Sequence, residues 1–320
     1  MRAYHLTSLD TPPQLTTLSP PPPAAGEVCV KIAACGLNFA DLLMMKGQYQ
    51  DMPQLPFTLG MEVAGTICAQ AADGAGPGIG TRVAVFGGAG GLAEYGVFDA
   101  ARVIRIPDKM SFIDAAAFQI AYGTSHLALD HKARLRPGET LLVLGAAGGV
   151  GLTAVEIGKA MGARVIACAR GAEKLEAARR AGADHLIDAS HEDIREACLA
   201  IGGLDVVYDP VGGDQFTAAM RACNPEARIL SIGFASGDVP QIKANHLLVK
   251  NISVMGFYWG GYLKFRPDLL TRSLATLLEW YEARRIQPHV SHTYPLAEAG
   301  TALELLRSRQ STGKVVVTMT

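Results

Sequence analysis

The amino-acid sequence predicts an α/β protein with two domains, one a doubly wound parallel sheet and the other a β-rich, partly barrel-like domain. The chain has 320 residues, which is enough for two domains of ordinary size. Residues 1 to about 115 have strand and turn patterns, whereas strands and helices alternate from 116 to 284. We expect the tail, 285–320, to rejoin residues 1–115, so that the first domain is discontinuous.

In the first part of the chain, short apolar runs alternate with turn residues. The runs predicted as strands are Val28–Ala34, Glu62–Cys68 and Arg82–Phe86. Glycine-rich segments such as Gly74–Gly80 and Gly87–Gly91 punctuate them and predict loops.

In the middle part, a first helix is predicted over Asp114–Leu129, and strands and helices then follow in turn. Such alternation predicts a parallel sheet covered by helices on both faces. The predicted strands are Thr140–Leu144, Val165–Ala169, His185–Ile187, Val206–Tyr208, Arg228–Ile232 and Ser253–Phe257. The predicted helices between them are Val150–Met161, Glu173–Ala181, Glu192–Leu199 and Gln215–Arg221. The tail carries predicted helices at 268–284 and 297–307 and a last strand, Lys314–Met319.

Composition and charge exclude several classes of protein. Hydrophobic residues make up 49% and the net charge is −1, so neither a nucleic-acid partner nor a membrane-surface partner is expected. No run of about 20 uncharged apolar residues is present, so no transmembrane helix is expected. The six cysteines form no CxxC pair and each stands in an apolar stretch. We expect them to be single, reduced and buried, as in a cytoplasmic protein.

The segment Gly145–Gly151, GAAGGVG, follows a predicted strand directly and opens a predicted helix. This order is what a dinucleotide site requires, because the tight turn lets the backbone approach a pyrophosphate and the helix N-terminus offers unpaired N–H groups. The spacing is AxGxxG, with Ala146 where the commoner pattern has its first glycine. The candidate residues for the pyrophosphate are Ala147, Gly148, Gly149, Val150 and Gly151.

The end of the second strand of this unit predicts which nicotinamide cofactor binds. A site for NAD has an acidic residue there, which bonds the ribose 2′-hydroxyl. This chain has Arg170, and Lys174 follows one turn later. Because a guanidinium grips a phosphate bidentately and a carboxylate repels it, we predict NADPH. The alternative is that both cations are ordinary solvated residues.

Several segments resemble one family along nearly the whole chain. GETLLVLGAAGGVGLTAVEIGK (138–159) is similar to the quinone oxidoreductase signature of the medium-chain dehydrogenase/reductase superfamily, except that Glu156 replaces the usual glutamine. The other segments that resemble this zinc-independent subfamily are CGLNFADLLMMKGQY (35–49), PFTLGMEVAG (56–65), DVVYDPVGG (205–213), RILSIGFASG (228–237), NHLLVKNISVMGFYWG (245–260) and TGKVVV (312–317). The resemblance implies a GroES-like catalytic domain (1–115 and 285–320), a Rossmann domain (116–284) and NADPH in the cleft between them.

Metal ligands are missing where the zinc alcohol dehydrogenases of the superfamily carry them. By resemblance, a cysteine ligand is replaced by Asn38, and a His-Glu pair by Met61-Glu62. Neither asparagine nor methionine is a plausible substitute zinc ligand, so we expect no metal site. Without a Lewis acid to polarise an alkoxide, reduction of an electrophilic acceptor, such as a quinone or an enone, is the expected reaction.

The resemblance also assigns residues around the nicotinamide and the acceptor. Asn38 is a candidate contact of the cofactor and a candidate hydrogen-bond donor to the carbonyl oxygen of the acceptor, and Tyr49 is a candidate proton donor. For both residues a structural role is the alternative, and for Asp41 a cap of the following helix is preferred. The remaining implied cofactor contacts are Thr124, Gly233, Phe234, Ala235, Phe257, Tyr258 and Lys314.

Two alternatives to quinone reduction stay open at this point. One is reduction of α,β-unsaturated carbonyls or enoyl thioesters, for which cations at Lys243, Lys250, Lys264 and Arg266 would favour coenzyme A. The other is a protein that binds NADPH without catalysis. The predicted strand Ser253–Phe257 has the pattern of a sheet edge, and edges of this kind pair across a two-fold axis in the family, so a homodimer is expected.

Overall fold

The computed structural model describes all 320 residues and divides the chain into two compact units, residues 1–120 with 288–320 and residues 121–287. The strands are β1 (Arg2–Leu6), β2 (Gln14–Thr17), β3 (Glu27–Gly36), β4 (Phe57–Thr58), β5 (Glu62–Gln70), β6 (Arg82–Phe86), β7 (Tyr95–Asp99), β8 (Val103–Arg105), β9 (Thr140–Leu144), β10 (Arg164–Ala169), β11 (His185–Asp188), β12 (Leu204–Asp209), β13 (Cys223–Ser231), β14 (Ser253–Gly256), β15 (Val290–Pro295) and β16 (Lys314–Thr318). The α-helices are α1 (Phe39–Met44), α2 (Phe112–Ala116), α3 (Gln119–His126), α4 (Gly149–Ala160), α5 (Ala172–Arg180), α6 (Ile194–Ala200), α7 (Gly213–Arg221), α8 (Ala244–Lys250), α9 (Tyr262–Phe265), α10 (Pro267–Glu282) and α11 (Ala299–Arg307).

The first unit is organised around the long strand β3. Along one edge β3 pairs antiparallel with β5, and along its other edge it pairs with β7 and then with β16. Val316–Thr318 of β16 lie opposite Ala34–Gly36, so the last strand of the chain completes a sheet begun near its start. The full sheet has seven strands, and a smaller sheet of order β2-β1-β4 accompanies it.

The sequence of β3, EVCVKIAACG, explains why it is central. Val28, Val30 and Ile32 alternate along the strand and are 3% exposed or less, as a strand with one face on a core requires. Lys31 on the opposite face is exposed to solvent. This two-faced pattern fixes the register with β5, because a slip of one residue would bury the lysine.

The second unit contains one parallel sheet of order β11-β10-β9-β12-β13-β14. All five residues of β9 are buried, which is typical of a parallel strand covered by helices on both faces. The strand order reverses between β9 and β12, which is the topological switch point where sheets of this kind bind ligands. None of the helices of the protein combines the length and the apolar composition needed to span a bilayer.

One predicted helix is interrupted. The prediction of a single helix over Asp114–Leu129 is wrong, because α2 ends at Ala116, α3 begins at Gln119, and a π-helical turn follows at 127–132. The N–H of Ile120 donates to Glu62 Oε2 at 3.0 Å instead of to a helical carbonyl. A buried carboxylate from a distant strand therefore takes the place of a backbone acceptor, and the local sequence gives no sign of it.

Other predicted elements of the middle part agree with the structure to within a few residues, although β13 begins five residues earlier than predicted, at Cys223. Several short elements have no counterpart in the prediction: β1, β2, β4, β7, β8, β15, α8 and α9. The prediction that every cysteine is single and buried is also wrong, since Cys68 is exposed and its sulfur lies 3.3 Å from that of Cys29.

Candidate functional site

The turn between β9 and α4 is shaped by glycines that no other residue can replace. Gly145 has φ +58°, in the region that favours glycine, and Gly151 lies against the turn. A Cβ atom added to Gly151 would stand 2.1 Å from the carbonyl oxygen of Gly145. The turn therefore closes as tightly as a backbone allows, leaving room for a ligand to approach the main chain.

The first turn of α4 presents donors and no competing negative charge. The helix begins at Gly149, and the first bond back to its cap runs from the Leu152 N–H to Gly148 O at 2.8 Å. The N–H groups of Gly149, Val150 and Gly151 precede that bond, so they have no partner within the helix. No acidic residue lies in the first turn, and Gly148 is exposed. A pyrophosphate group fits this arrangement.

A buried hydroxyl network attaches α3 to the same helix. Ser125 Oγ donates to Val150 O at 2.9 Å and lies 2.8 Å from Thr153 Oγ1 and 3.0 Å from the Tyr208 hydroxyl. The network fixes the neighbouring Thr124, which is only 7% exposed, near the start of α4. Thr124 and the glycine turn, predicted separately, thus belong to one corner of the second unit.

The aromatic segment 256–262 packs against α3. A Cβ atom on Gly123 would meet Trp259 Nε1 at 2.7 Å, so the missing side chain makes room for the indole. Phe257 is buried, and its ring lies 5.4 Å from that of Tyr262, whereas Tyr258 is 36% exposed. Phe257 and Tyr258 directly follow β14, and the next residue, Trp259, packs against α3, the helix that contains Thr124.

One buried carboxylate holds the turn that follows β12, and the backbone carbonyl of the same residue accepts the Ile232 N–H at 2.8 Å, just after β13. Asp209 Oδ1 accepts the N–H groups of Val211 at 2.7 Å and Gly212 at 2.9 Å, while burial raises the pKa of this carboxyl. The N–H of Ala235 donates to Pro210 O at 3.0 Å, and Phe234 is 42% exposed. Gly233, Phe234 and Ala235 thus form a turn at the switch-point edge of the sheet.

At the end of β10, Arg170 is exposed and Gly171 begins the connection to α5 with φ +87°. The N–H of Gly171 donates to Asp188 Oδ1, at the end of the neighbouring strand, at 3.2 Å. The N–H groups of Ser190 and Gly171 lower the pKa of Asp188, so the carboxylate is charged. The spacing in the sequence predicted Arg170 as a site residue but did not indicate Asp188. Asp188 lies beside the turn at Gly171 only because β11 pairs with β10.

The unusual Glu156 lies in α4 and holds two other segments of the second unit. Its carboxylate accepts the Tyr122 hydroxyl at 2.5 Å and the N–H of Gln287 at 2.6 Å. Burial raises the pKa of Glu156 to about 7, although both hydrogen bonds lower it. A glutamine side chain would present one acceptor oxygen here, so the glutamate is adapted to two donors.

In the first unit, Lys314 at the start of β16 is the centre of a buried polar cluster. Its ammonium donates to Glu62 Oε1 at 2.6 Å, to Asn38 Oδ1 at 2.7 Å and to Leu37 O at 2.8 Å. The side chains of Lys314 and Glu62 are 5% and 1% exposed. All three donors of the ammonium are thus used within the first unit, so contact with a cofactor, as predicted for Lys314, stays a prediction.

Asn38 is oriented by the same cluster. Its amide nitrogen donates to Glu62 Oε1 at 3.0 Å and to Gly36 O at 3.2 Å, and its oxygen accepts from Lys314. Only this orientation of the amide satisfies an ammonium on one side and a carboxylate on the other. Both N–H groups are therefore already bonded, and donation to an acceptor oxygen, as predicted for Asn38, would require one of them to turn.

Asp41 contributes to the cap of α1, as the sequence predicted, but from the third helical position and not as the N-cap residue. Asn38 is the cap of α1, and Asp41 is the third helical residue, whose carboxylate accepts the Asn38 N–H at 2.8 Å and the Gly60 N–H at 3.2 Å. Burial raises the pKa of Asp41 to about 7, and the Asn38 N–H and Lys314 lower it. Asp41 therefore supports the loop that carries Asn38.

Tyr49 lies in the irregular segment after α1 and is half-buried. Within the first unit the structure thus brings together Asn38, Asp41, Glu62 and Lys314, of which Glu62 was not among the predicted site residues. The Met61-Glu62 pair was noted only as a lost zinc motif, and that pair was the available signal. No group of three or more His, Cys, Asp or Glu side chains in the protein is arranged to hold a metal ion.

Comparison with known proteins places this geometry in a family. A model described as alcohol dehydrogenase GroES-like domain matches residues 24–108, and one described as zinc-binding dehydrogenase matches residues 149–276. Quinone oxidoreductase-like protein 2 of Bos taurus is 39% identical over 99% of this chain and 92% of its own length. The synaptic vesicle membrane protein VAT-1 homolog of Homo sapiens is 31% identical over 93% of this chain and 80% of its own.

Solved structures show the same fold. The quinone oxidoreductase of Thermus thermophilus, solved also in complex with NADPH, superposes with a TM-score of 0.89 at 35% identity, with full coverage of both chains. Escherichia coli quinone oxidoreductase complexed with NADPH gives a TM-score of 0.91 at 29% identity over 99% of each chain.

These matches define the class first: a GroES-like N-terminal domain with a six-stranded Rossmann-type sheet, as the sequence predicted. The chain belongs to the medium-chain dehydrogenase/reductase superfamily, as an enzyme of its quinone oxidoreductase-like subfamily.

Proposed function

We propose that the protein reduces quinones with NADPH by hydride transfer and without zinc. The observation that carries the proposal is the glycine cradle at the switch point, followed by Arg170 at the end of β10. Two solved relatives with the same fold along the whole chain are quinone oxidoreductases in complex with NADPH. The cradle and the cation have the chemistry that the diphosphate and the 2′-phosphate of that cofactor require.

The residues that would hold the cofactor are those that the sequence predicted. Ala147 and the first turn of α4 would bind the pyrophosphate through backbone N–H groups, and Arg170 and Lys174 would bind the 2′-phosphate. Gly233, Phe234 and Ala235 would border the ribose, and Thr124, Phe257 and Tyr258 would flank the nicotinamide. When bound, NADPH supplies a hydride from C4 of the nicotinamide.

At the acceptor, the protein has to orient a flat molecule and stabilise the charge that develops on its oxygen. The bonded amide of Asn38 makes it a positioning group for its loop rather than a ready donor. Tyr49 is the remaining candidate for proton donation, and water can protonate a quinol without any side chain. We therefore expect binding and orientation, rather than a dedicated acid, to determine the rate.

Zinc independence is supported by the chemistry at the Asn38–Glu62 position. The carboxylate there is engaged by the Lys314 ammonium at 2.6 Å, and Asn38 and Met61 stand where the resemblance places metal ligands. An ammonium bonded to three oxygens already neutralises the carboxylate. The Lys314 ammonium would repel a divalent cation placed beside the same carboxylate.

The thioester alternative needs a basic entrance for coenzyme A, and two of its four cations are engaged elsewhere. Arg266 pairs with Asp268 at 2.9 Å, and Lys250 Nζ donates to Arg221 O at 3.1 Å. Quinones and simple enones, which carry no phosphates, fit this surface better.

In addition, we propose that the first unit is the catalytic domain. We also propose a homodimer in which β14, the edge strand of the parallel sheet, pairs with its copy in the other subunit.

The test is steady-state oxidation of NADPH and NADH with 1,4-benzoquinone, 9,10-phenanthrenequinone, 2-hexenal, an enone and crotonyl-CoA, with and without a zinc chelator. We expect quinone turnover that prefers NADPH and does not respond to the chelator. Turnover of the enal or the thioester without the quinones would assign the protein to the alkene reductases. A preference for NADH, or inhibition by the chelator, would contradict the proposal.

A further inference from the structure

Cys29 and Cys68 form a pair of thiols outside the candidate site. Their sulfur atoms are 3.3 Å apart, and the Cys68 thiol also lies 3.4 Å from Cys29 O. Both cysteines are reduced. No other pair among the six cysteines has its sulfur atoms within hydrogen-bonding distance.

A β-bulge brings the two side chains to the same face. Cys29 of β3 lies opposite Ala69 of β5, but the next residue, Val30, lies opposite Ile67. Cys68 is therefore the extra residue of β5, and it interrupts the alternation that would otherwise turn its side chain away. The bulge thus leaves the Cys68 sulfur atom 3.3 Å from the Cys29 sulfur atom, although the two residues are not opposed in the ladder.

Cys68 is the member of the pair that a small reagent can reach. Cys29 lies two residues from the exposed Lys31 along β3. Cys68 is exposed, whereas Cys29 is 6% exposed. The ladder between β5 and β6 ends at Thr66, two residues before Cys68. An oxidant can therefore reach the Cys68 sulfur without opening the core.

We propose that Cys29 and Cys68 are a site of reversible disulfide formation, with a hydroperoxide as the oxidant and Cys68 as the sulfur attacked first. The Cys68 thiol gives up its proton and its sulfur takes one oxygen from the peroxide, giving a sulfenic acid; with hydrogen peroxide, the hydroxide that leaves combines with that proton as one water. The Cys29 sulfur then attacks the Cys68 sulfur, the S–S bond forms, and the hydroxide that leaves combines with the thiol proton as a second water. Two thiols lose two electrons and the peroxide gains them; a dithiol reductant reverses the step.

The geometry favours closure within the chain. The sulfur atoms need to approach by about 1.3 Å to reach the disulfide length of about 2.05 Å. Burial raises the pKa of Cys29 to about 12, so the exposed Cys68 is the sulfur that an oxidant reaches first, and Cys29 is placed to resolve the sulfenic acid by its proximity. The bridge would close the segment from β3 to β5 that contains α1 and Asn38.

The pair lies at the far end of the β3–β5 ladder from Gly36 and Glu62. Because the strands between are rigidly paired, we expect oxidation to change stability more than cofactor affinity. The inference does not depend on the proposed function, since the readout is the state of the two sulfur atoms.

The experiment uses the full-length protein treated with a small excess of hydrogen peroxide, denatured, alkylated and analysed by peptide mass spectrometry. We expect the count of alkylatable thiols to fall from six to four, one cross-linked peptide joining Cys29 to Cys68, and full recovery with dithiothreitol. The oxidised protein should unfold about 5 °C higher than the reduced protein, because the bridge restricts the unfolded chain.

Matched variants separate the pair from general thiol oxidation. In Cys68→Ser the cross-linked peptide and the thermal shift should both be lost, and Cys29→Ser should instead accumulate the sulfenic or sulfinic acid on Cys68. Cys223→Ala, which removes a buried cysteine of the other unit, should keep both effects. Irreversible oxidation of Cys68 in the unaltered protein, or a disulfide between two chains, would overturn the proposal.

Discussion

The two units of this protein each contain a polar site, one formed by backbone groups and the other by side chains. In the second unit, the glycine turn and the first turn of α4 offer backbone N–H groups and almost no side chains. In the first unit, the cluster around Lys314 consists of side chains from segments up to 276 positions apart in sequence. A backbone site is encoded locally and tolerates little change in shape, whereas a side-chain cluster depends on the whole sheet that assembles it.

The largest effect is expected from breaking the side-chain cluster. Lys314→Met removes the ammonium and leaves the buried carboxylate of Glu62 without its charged partner, at a cost of about 3–5 kcal/mol in the free energy of unfolding. Urea unfolding would measure it. The double variant Lys314→Met with Glu62→Gln should recover most of the loss, and a single variant weakened by less than about 1 kcal/mol would contradict the buried ion pair.

A slightly smaller effect is expected from filling the backbone cradle. Gly151→Ala places a Cβ against Gly145 O, so we expect a loss of about 3 kcal/mol in unfolding free energy and a rise of more than about tenfold in the dissociation constant of NADPH. Fluorescence titration and thermal unfolding check both.

Gly148→Ala is the matched control for the cradle. Its Cβ would lie 3.4 Å from the same oxygen, an ordinary contact, so stability should be nearly unchanged while the exposed methyl group still obstructs the pyrophosphate. Equal destabilisation by the two alanines would show that the close contact at Gly151 is not what limits the turn.

Glu156 tests whether a buried carboxylate also matters in the second unit. Burial raises its pKa from 4.5 to about 7, so between these pH values the folded protein keeps a proton that the unfolded chain releases. Stability contributed by this group is thus complete below about pH 4.5 and falls, by about 3 kcal/mol, as the pH rises from 4.5 through 7.

Glu156→Gln should remove this slope, although the glutamine keeps only one of the two acceptor oxygens. Urea unfolding from pH 5 to pH 8 measures it, with Glu173→Gln, an exposed glutamate at the start of α5, as the control that keeps the slope. Parallel pH profiles for Glu156→Gln and the unaltered protein would contradict the shifted pKa.

The smallest change in free energy is expected at Arg170. Its side chain would add selectivity for NADPH over NADH to a cofactor site that is otherwise built from backbone N–H groups. Arg170→Ala should lower kcat/KM for NADPH about tenfold, the equivalent of about 1.4 kcal/mol, and leave that for NADH unchanged. Arg179→Ala, an exposed cation in the last turn of α5, should change neither value. A uniform loss for both cofactors would argue against contact with a 2′-phosphate.

The sequence by itself determined the parallel sheet, the glycine turn and the family. Each is local: β9 is a single apolar run, and the turn after it joins Gly145 to a helix within a few residues. Patterns confined to ten or twenty residues are readable because hydrophobic periodicity and glycine conformation act within that distance.

Only the tertiary structure decided how distant side chains meet. Glu62 interrupts a helix at Ile120 and binds Lys314, Asp188 reaches the turn after Arg170, and a single bulge places Cys68 beside Cys29. None of these contacts leaves a local pattern, because strand register and sheet order set them. The physical reason is that the pKa and the reactivity of a buried charge or thiol depend on the groups that surround it. In the folded chain those groups come from segments far apart in sequence.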